Sequence, residues 1–280
     1  MRLALVPAVL LVACAGASTP DAEEPTTLRA PASDSAAFLL EVGGTLTDVL
    51  TRPSESIESL EASRGASRGE ERRRIQRDLA RAHMLAAEET EGREQRRHRT
   101  DATTAADAAA HGSHDDRLVA EMDFLALWVA WRAGQRSADG RAQRFVRQHE
   151  TSRDLVLMAW LIRGEVAFAE EEWDDAITAY RAVLGHIGHP LYAFALYRSA
   201  RAWHEDGRSD ESRQALGEVR DLGCSADASP ATLHVALAAS TALGDGSVTG
   251  PDGRERPATC PEEGSTAHTT EDERPPVLDQ

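Results

Sequence analysis

A pattern of small and large apolar residues recurs along the second half of this chain and limits what it can fold into. Trp160, Gly164 and Ala167 fall at i, i+4 and i+7, so they share one face of a helix. Ala176, Tyr180 and Val183 repeat that spacing after the acidic stretch Glu170, Glu171 and Glu172. A large residue facing a small one lets two antiparallel helices approach closely. The pair then recurs as Leu196, Ala200 and Trp203, followed by Ser212, Leu216 and Val219, with Gly207 in the turn. The shift from Ala176 to Ser212 is 36 residues. Stepping back 34 residues from Ala176 reaches a weaker copy: Ala126, Ala130 and Ala133, then Ala142, Val146 and His149. Such a period predicts stacked helix pairs; a plain helical bundle is the alternative.

The residues that carry the period also carry a family likeness. The stretch Trp160–Leu184 resembles a tetratricopeptide repeat (TPR). It has an aromatic and a glycine in its first helix, Trp173-Asp174-Asp175-Ala176-Ile177 opening the second, and Tyr180 on the packing face. Residues 196–220 are similar to a second copy, with Ser212 where alanine is usual and a step two residues longer than the family's period. Arg163 departs from the family's leucine, and residues 123–156 form a degenerate copy. The resemblance implies an all-α fold of antiparallel helix pairs in a short solenoid, with the first helix of each pair lining a concave groove for a partner's peptide or helix. Carried onto this chain, the groove residues are Met158, Leu161, Glu165 and Phe168, then Phe194, Tyr197, Arg201 and His204, with Leu127 and Trp131 in the weak copy. The bland alternative is that these residues pack against a neighbouring helix or a flanking segment. Two repeats cannot bury their faces alone, so helices before residue 150 and one at 230–243, burying Leu233, Ala236 and Leu237, are expected to cap the stack.

The first fourteen residues constrain location. One positive charge at Arg2 precedes the apolar run Leu3–Val12, which is far short of the roughly 20 residues a spanning helix needs. Leu11-Val12-Ala13-Cys14 resembles the lipobox of bacterial lipoproteins. It implies removal of residues 1–13, lipid on Cys14 and a membrane anchor held by acyl (palmitate-type) chains. Each buried methylene contributes about 0.8 kcal/mol, so one chain is marginal and two or three hold. Ala15 in place of an aspartate implies sorting to the outer membrane, facing the periplasm.

The remaining divisions follow from composition. Residues 14–35 read as a flexible tether, 36–115 as a helical N-terminal region, 116–243 as the repeat domain and 244–280 as a disordered acidic tail. Within the N-terminal region, residues 70–98 read as one long charged helix and 101–111 as a further helical piece. Ser229, Pro230 and Gly244 read as cap, first turn and stop of the last helix.

The chemistry of the chain is sparse. A net charge of −16 excludes the basic footprint of a non-specific nucleic-acid binder. The chain has no Lys, so no lysine nucleophile or Schiff base is available. The P-loop and GxGxxG motifs are missing, and no cofactor or catalytic residue is expected. His111 with His114, and His186 with His189, share a three-residue spacing, but a metal site needs three or four convergent ligands; no metal site is assigned. Cys224 and Cys260 are left after lipidation and form either a disulfide or two free thiols. The leading expectation is a membrane-anchored scaffold that binds envelope proteins or peptide segments and is not an enzyme. The rival is a metal-binding or enzymatic envelope lipoprotein using the repeats as a frame.

Overall fold

Local signals in the chain set where the helices begin and end. Asp115 accepts hydrogen bonds from the backbone N–H groups of Arg117 and Leu118 and starts one helix; Ser229 accepts from Thr232 N–H, with Pro230 at the first turn, and starts another. That second helix stops at Gly244, which sits at φ 81°, a left-handed conformation that favours glycine. In the computed structural model, which describes residues 32–225, 227–249 and 253–260, the described chain is all-helical apart from one short hairpin. The helices are α1 (Ala32–Leu46), α2 (Ile57–Arg64), α3 (Gly69–Glu89), α4 (Gly92–Ala110), α5 (Asp116–Arg132), α6 (Ser137–Gln148), α7 (Arg153–Ala169), α8 (Trp173–Leu184), α9 (Tyr192–Glu205), α10 (Ser209–Leu222) and α11 (Pro230–Leu243). The hairpin pairs β1 (Ser247–Thr249) with β2 (Glu255–Pro257), antiparallel, with Val248 opposite Arg256.

Successive helices pack antiparallel, so α3/α4, α5/α6, α7/α8 and α9/α10 form a row of pairs closed by α11. The spacing of small and large residues is what permits this. A Cβ on Gly164 would lie 2.3 Å from the ring of Tyr180, so α7 and α8 meet at a distance only glycine allows. Ala176, Tyr180, Val183, Ala200 and Val219, all members of the repeating faces, are fully buried. Helix α9 is buried on every side from Ala193 to Ala202 because α8, α10 and α11 all lie against it.

Two departures from the sequence reading concern the N-terminal half. The expected single helix over 70–98 is two helices: Thr90 and Glu91 are extended, Gly92 takes φ 62°, and the chain folds back so that α4 lies along α3. The apolar stripe continuing as Ala102, Ala105, Ala106 and Ala109 is what α4 buries. The pair joins the row because Glu88 receives Trp128 Nε1 (3.2 Å) and the guanidinium of Arg132 (3.0 and 2.8 Å), and Arg99 donates to the carbonyl of Arg132 (2.8 Å). The expected tether, in turn, is already helical at Ala32.

At the other end, the chain continues in order past Gly244, where the tail was expected to begin. Cys224 and Cys260 are joined by a disulfide, Arg220 binds Asp245 at 3.0 Å, and Pro257 is buried near Gly223. Of the residues expected under the last helix, Leu233 and Ala236 are buried, while Leu237 is half-buried and Val235 takes its place inside. The disulfide closes a loop of 36 residues. Reduction should open the hairpin first, admit trypsin at Arg254, and cost about 2 kcal/mol, the low end for such a loop because the hairpin can detach by itself. Limited proteolysis with and without reductant, alongside helical circular dichroism that stays constant, checks this.

Candidate functional site

The site is built by α1, which lies against the first helices of two successive pairs, α7 and α9. It packs against α7 and α11, and its Phe38 ring stacks on Phe194 of α9 with centroids 4.2 Å apart and planes 12° from parallel. Phe38, Leu39 and Val42 are buried. Gly43 lies so close to Met158 and Leu50 that a Cβ there would meet the Met158 sulfur at 3.0 Å. A 3-10 turn at Asp48–Leu50, capped by Thr47, then leads away, and Arg81 holds its end through the carbonyl of Thr51 at 3.0 Å.

Beneath α1 sits one carboxylate that ties four helices together. Glu165 of α7 is 5% exposed and accepts from Ser35 Oγ of α1 (2.6 Å), Tyr180 OH of α8 (2.7 Å) and both Nε and Nη2 of Arg198 of α9 (2.6 and 2.8 Å). The Arg198 pairing is two-pronged, the geometry that suits a planar guanidinium and a carboxylate. Arg198 also lies 4.1 Å over the Phe168 ring, so its flat face is covered by an aromatic while its edge is bonded. Burial works against the charge of Arg198, but Glu165 outweighs it and holds the guanidinium firmly protonated. Burial, with Glu165 adding to it, pushes the Tyr180 phenol well above its ordinary range, so the hydroxyl stays protonated and donates to Glu165.

The residues expected to line a groove are therefore gathered on one face, but most of them are covered. Met158, Leu161, Glu165, Phe194, Tyr197, Arg201 and Leu127 are buried; Phe168 and Trp131 are half-buried; only His204, in the last turn of α9, is exposed. Met158, Glu165 and Phe194 are covered by α1 itself. Phe168 is held edge-on by Trp173 and beneath Arg198, with Arg201 at 5.9 Å from the same ring. Trp131 meets Trp128 edge to face at 5.2 Å. Ser35 and Arg198, which complete the network, were not singled out in the sequence; Ser35 falls in a stretch that reads as tether, and Arg198 sits beside groove candidates on α9. Cys14 lies outside the described residues.

The histidine pairs weighed in the sequence do not converge on a common centre. His186 faces Arg153 at 2.8 Å, His189 faces Asp154 at 3.2 Å, and His111 and His114 are exposed. Two other histidines do meet, across the α3/α4 hairpin: His83 Nδ1 and His98 Nδ1 are 3.0 Å apart. Burial lowers the pKa of His83, partly opposed by Asp101 and Glu61 and reinforced by His98 and Arg97. An open cleft beside the 3-10 turn is lined by charges of both signs, including Asp48, Glu70, Arg74, Arg77 and Arg117. Among the described residues no helix is long and apolar enough to cross a membrane.

No protein-family model matches the chain, and no curated protein or solved structure is significantly similar to it.

Proposed function

We propose that this chain is a lipid-anchored, TPR-like scaffold of the cell envelope whose groove receives a helix of a partner protein, and that α1 occupies the groove until the partner arrives. The observation that carries the reading is α1 itself. It is an amphipathic helix seated on the first helices of successive pairs, with an aromatic anchor at Phe38 and a polar contact from Ser35 to the buried Glu165. A helix held by apolar anchors and a polar fix is the chemistry of helix-in-groove recognition. A partner would bring a helix of similar design: an aromatic to stack on Phe194 and a small donor to reach Glu165.

The anchor rests on the lipobox-like Leu11–Cys14. Replacing Cys14 by Ala should move the protein from the detergent phase to the aqueous phase in Triton X-114 partitioning, since no other lipid attachment is invoked. Unchanged partitioning would remove the anchor from the reading.

The groove is tested by crosslinking in native membranes, comparing wild type with Phe38→Ala, in which α1 is loosened. A partner recovered more strongly with the variant, and competed away by a synthetic peptide of residues 32–46, supports the proposal. Partners that the peptide does not displace place recognition elsewhere on the surface.

A further inference from the structure

We propose that His83, His98 and Asp101 form a binding site for a divalent transition metal, zinc foremost, between α3 and α4. The candidate ligand atoms of these three side chains lie within 4.8 Å of one another. His98 and Asp101 are three apart on α4 and so share a face, and His83 reaches them from α3 across the hairpin. The two Nδ1 atoms stand 3.0 Å apart. Two nitrogens on one tetrahedral zinc, each bonded at about 2.0–2.1 Å, stand about 3.3 Å apart, so a small separation of the rings admits the ion.

The surroundings fit a ligand set better than a plain hydrogen bond. His83 is 6% exposed on the inner side, whereas the side chains of His98 and Asp101 are 17% and 39% exposed, which leaves an approach from solvent and room for a fourth ligand, water. The far nitrogen of His98, Nε2, faces Glu94 Oε1 at 4.0 Å. That separation is too long for a hydrogen bond, so Glu94 contributes only negative charge near the site. Glu61 of α2 adds negative charge near His83, and Arg97 has its Nε 3.6 Å from Asp101. Two imidazoles and one carboxylate are a donor set suited to zinc and its first-row neighbours, and are a poor one for calcium or magnesium, which prefer oxygen. A bound ion would cross-link the turn-connected helices α3 and α4, the pair that joins the N-terminal region to the row.

The test uses the full chain, purified in mild detergent without a histidine tag and stripped with chelator. Titration with zinc by calorimetry, and with cobalt by visible absorption, should find one site per chain with the cobalt bands of a low-coordinate nitrogen and oxygen set. His98→Gln and His83→Gln should each weaken zinc binding by at least about 100-fold, while His111→Gln/His114→Gln leaves it unchanged. Should His83→Gln fail to fold, His98→Gln decides alone, because that ring lies nearer the surface. No saturable site, or a site equally strong in His98→Gln, overturns the proposal.

Discussion

Glu165→Ala is expected to be the most destabilising single side-chain truncation in the described core, at about 3–5 kcal/mol. The cost comes less from what is lost than from what is left behind. Arg198 is 5% exposed and keeps its charge, so removing Glu165 strands a buried guanidinium with no carboxylate. Tyr180 OH and Ser35 Oγ lose their acceptor in the same step. A stranded buried donor costs its full desolvation, about 1–3 kcal/mol each, more for a charge. Glu165→Gln keeps an acceptor oxygen but cannot take four donors, so its effect should fall between Ala and wild type. Replacing both ends, Glu165→Met with Arg198→Met, removes the charge together with its partner and should recover most of the loss, as paired removal does elsewhere. Urea unfolding of wild type, Glu165→Met, Arg198→Met and the double variant, combined as a double-mutant cycle, gives the coupling directly. A Glu165→Ala midpoint within about 1 kcal/mol of wild type, in a cycle showing no coupling, would mean water reaches the network.

The same network shows where sequence reading succeeds and stops. Gly164 and Tyr180 are legible as a contact because helical spacing places each on a known face, and a ring opposite a glycine is the natural complement. Glu165 is legible as the polar member of an otherwise apolar helix face, and the repeat resemblance puts it among the expected groove residues. Its partners are not legible. Ser35 lies 130 residues upstream, in a stretch whose Ala, Ser and Pro content reads as linker. No local period can announce a contact over that distance.

The break between α3 and α4 is a different failure. The charged pattern over residues 70–98 runs on without interruption, but Gly92 permits a left-handed turn, and two alanine-rich stripes bury more surface folded together than extended. Tertiary packing outweighed local periodicity there. Because the hairpin was not foreseen, the meeting of His83 and His98 was not foreseen either. Histidines fifteen residues apart on one continuous helix would not touch.

Phe38→Ala is expected to loosen α1 and make the groove available. Truncating a buried phenylalanine costs about 3–5 kcal/mol, and this one also gives up its stack on Phe194. The loss is borne mainly by α1: it is the first helix of the described residues and belongs to none of the stacked pairs, and the Gly164–Tyr180 contact lies within a pair. The groove then exposes Met158 and Phe194, and Glu165 keeps Arg198 and Tyr180 while losing only Ser35. A ligand that competes with α1 sees its apparent affinity reduced by the fraction of molecules with the groove open. Weakening α1 by about 3 kcal/mol should raise that affinity by about 100-fold, as long as α1 remains mostly docked in wild type. A fluorescent peptide of residues 32–46 is the probe, read by anisotropy against each protein. Tight binding to Phe38→Ala, weak binding to wild type, and poorer binding of a peptide carrying Ser35→Ala are expected together, because Ser35 donates to the one buried acceptor the groove offers. Equal binding by both proteins, with helical content intact, would mean that α1 is a permanent part of the core and that the groove is not a site for exchange.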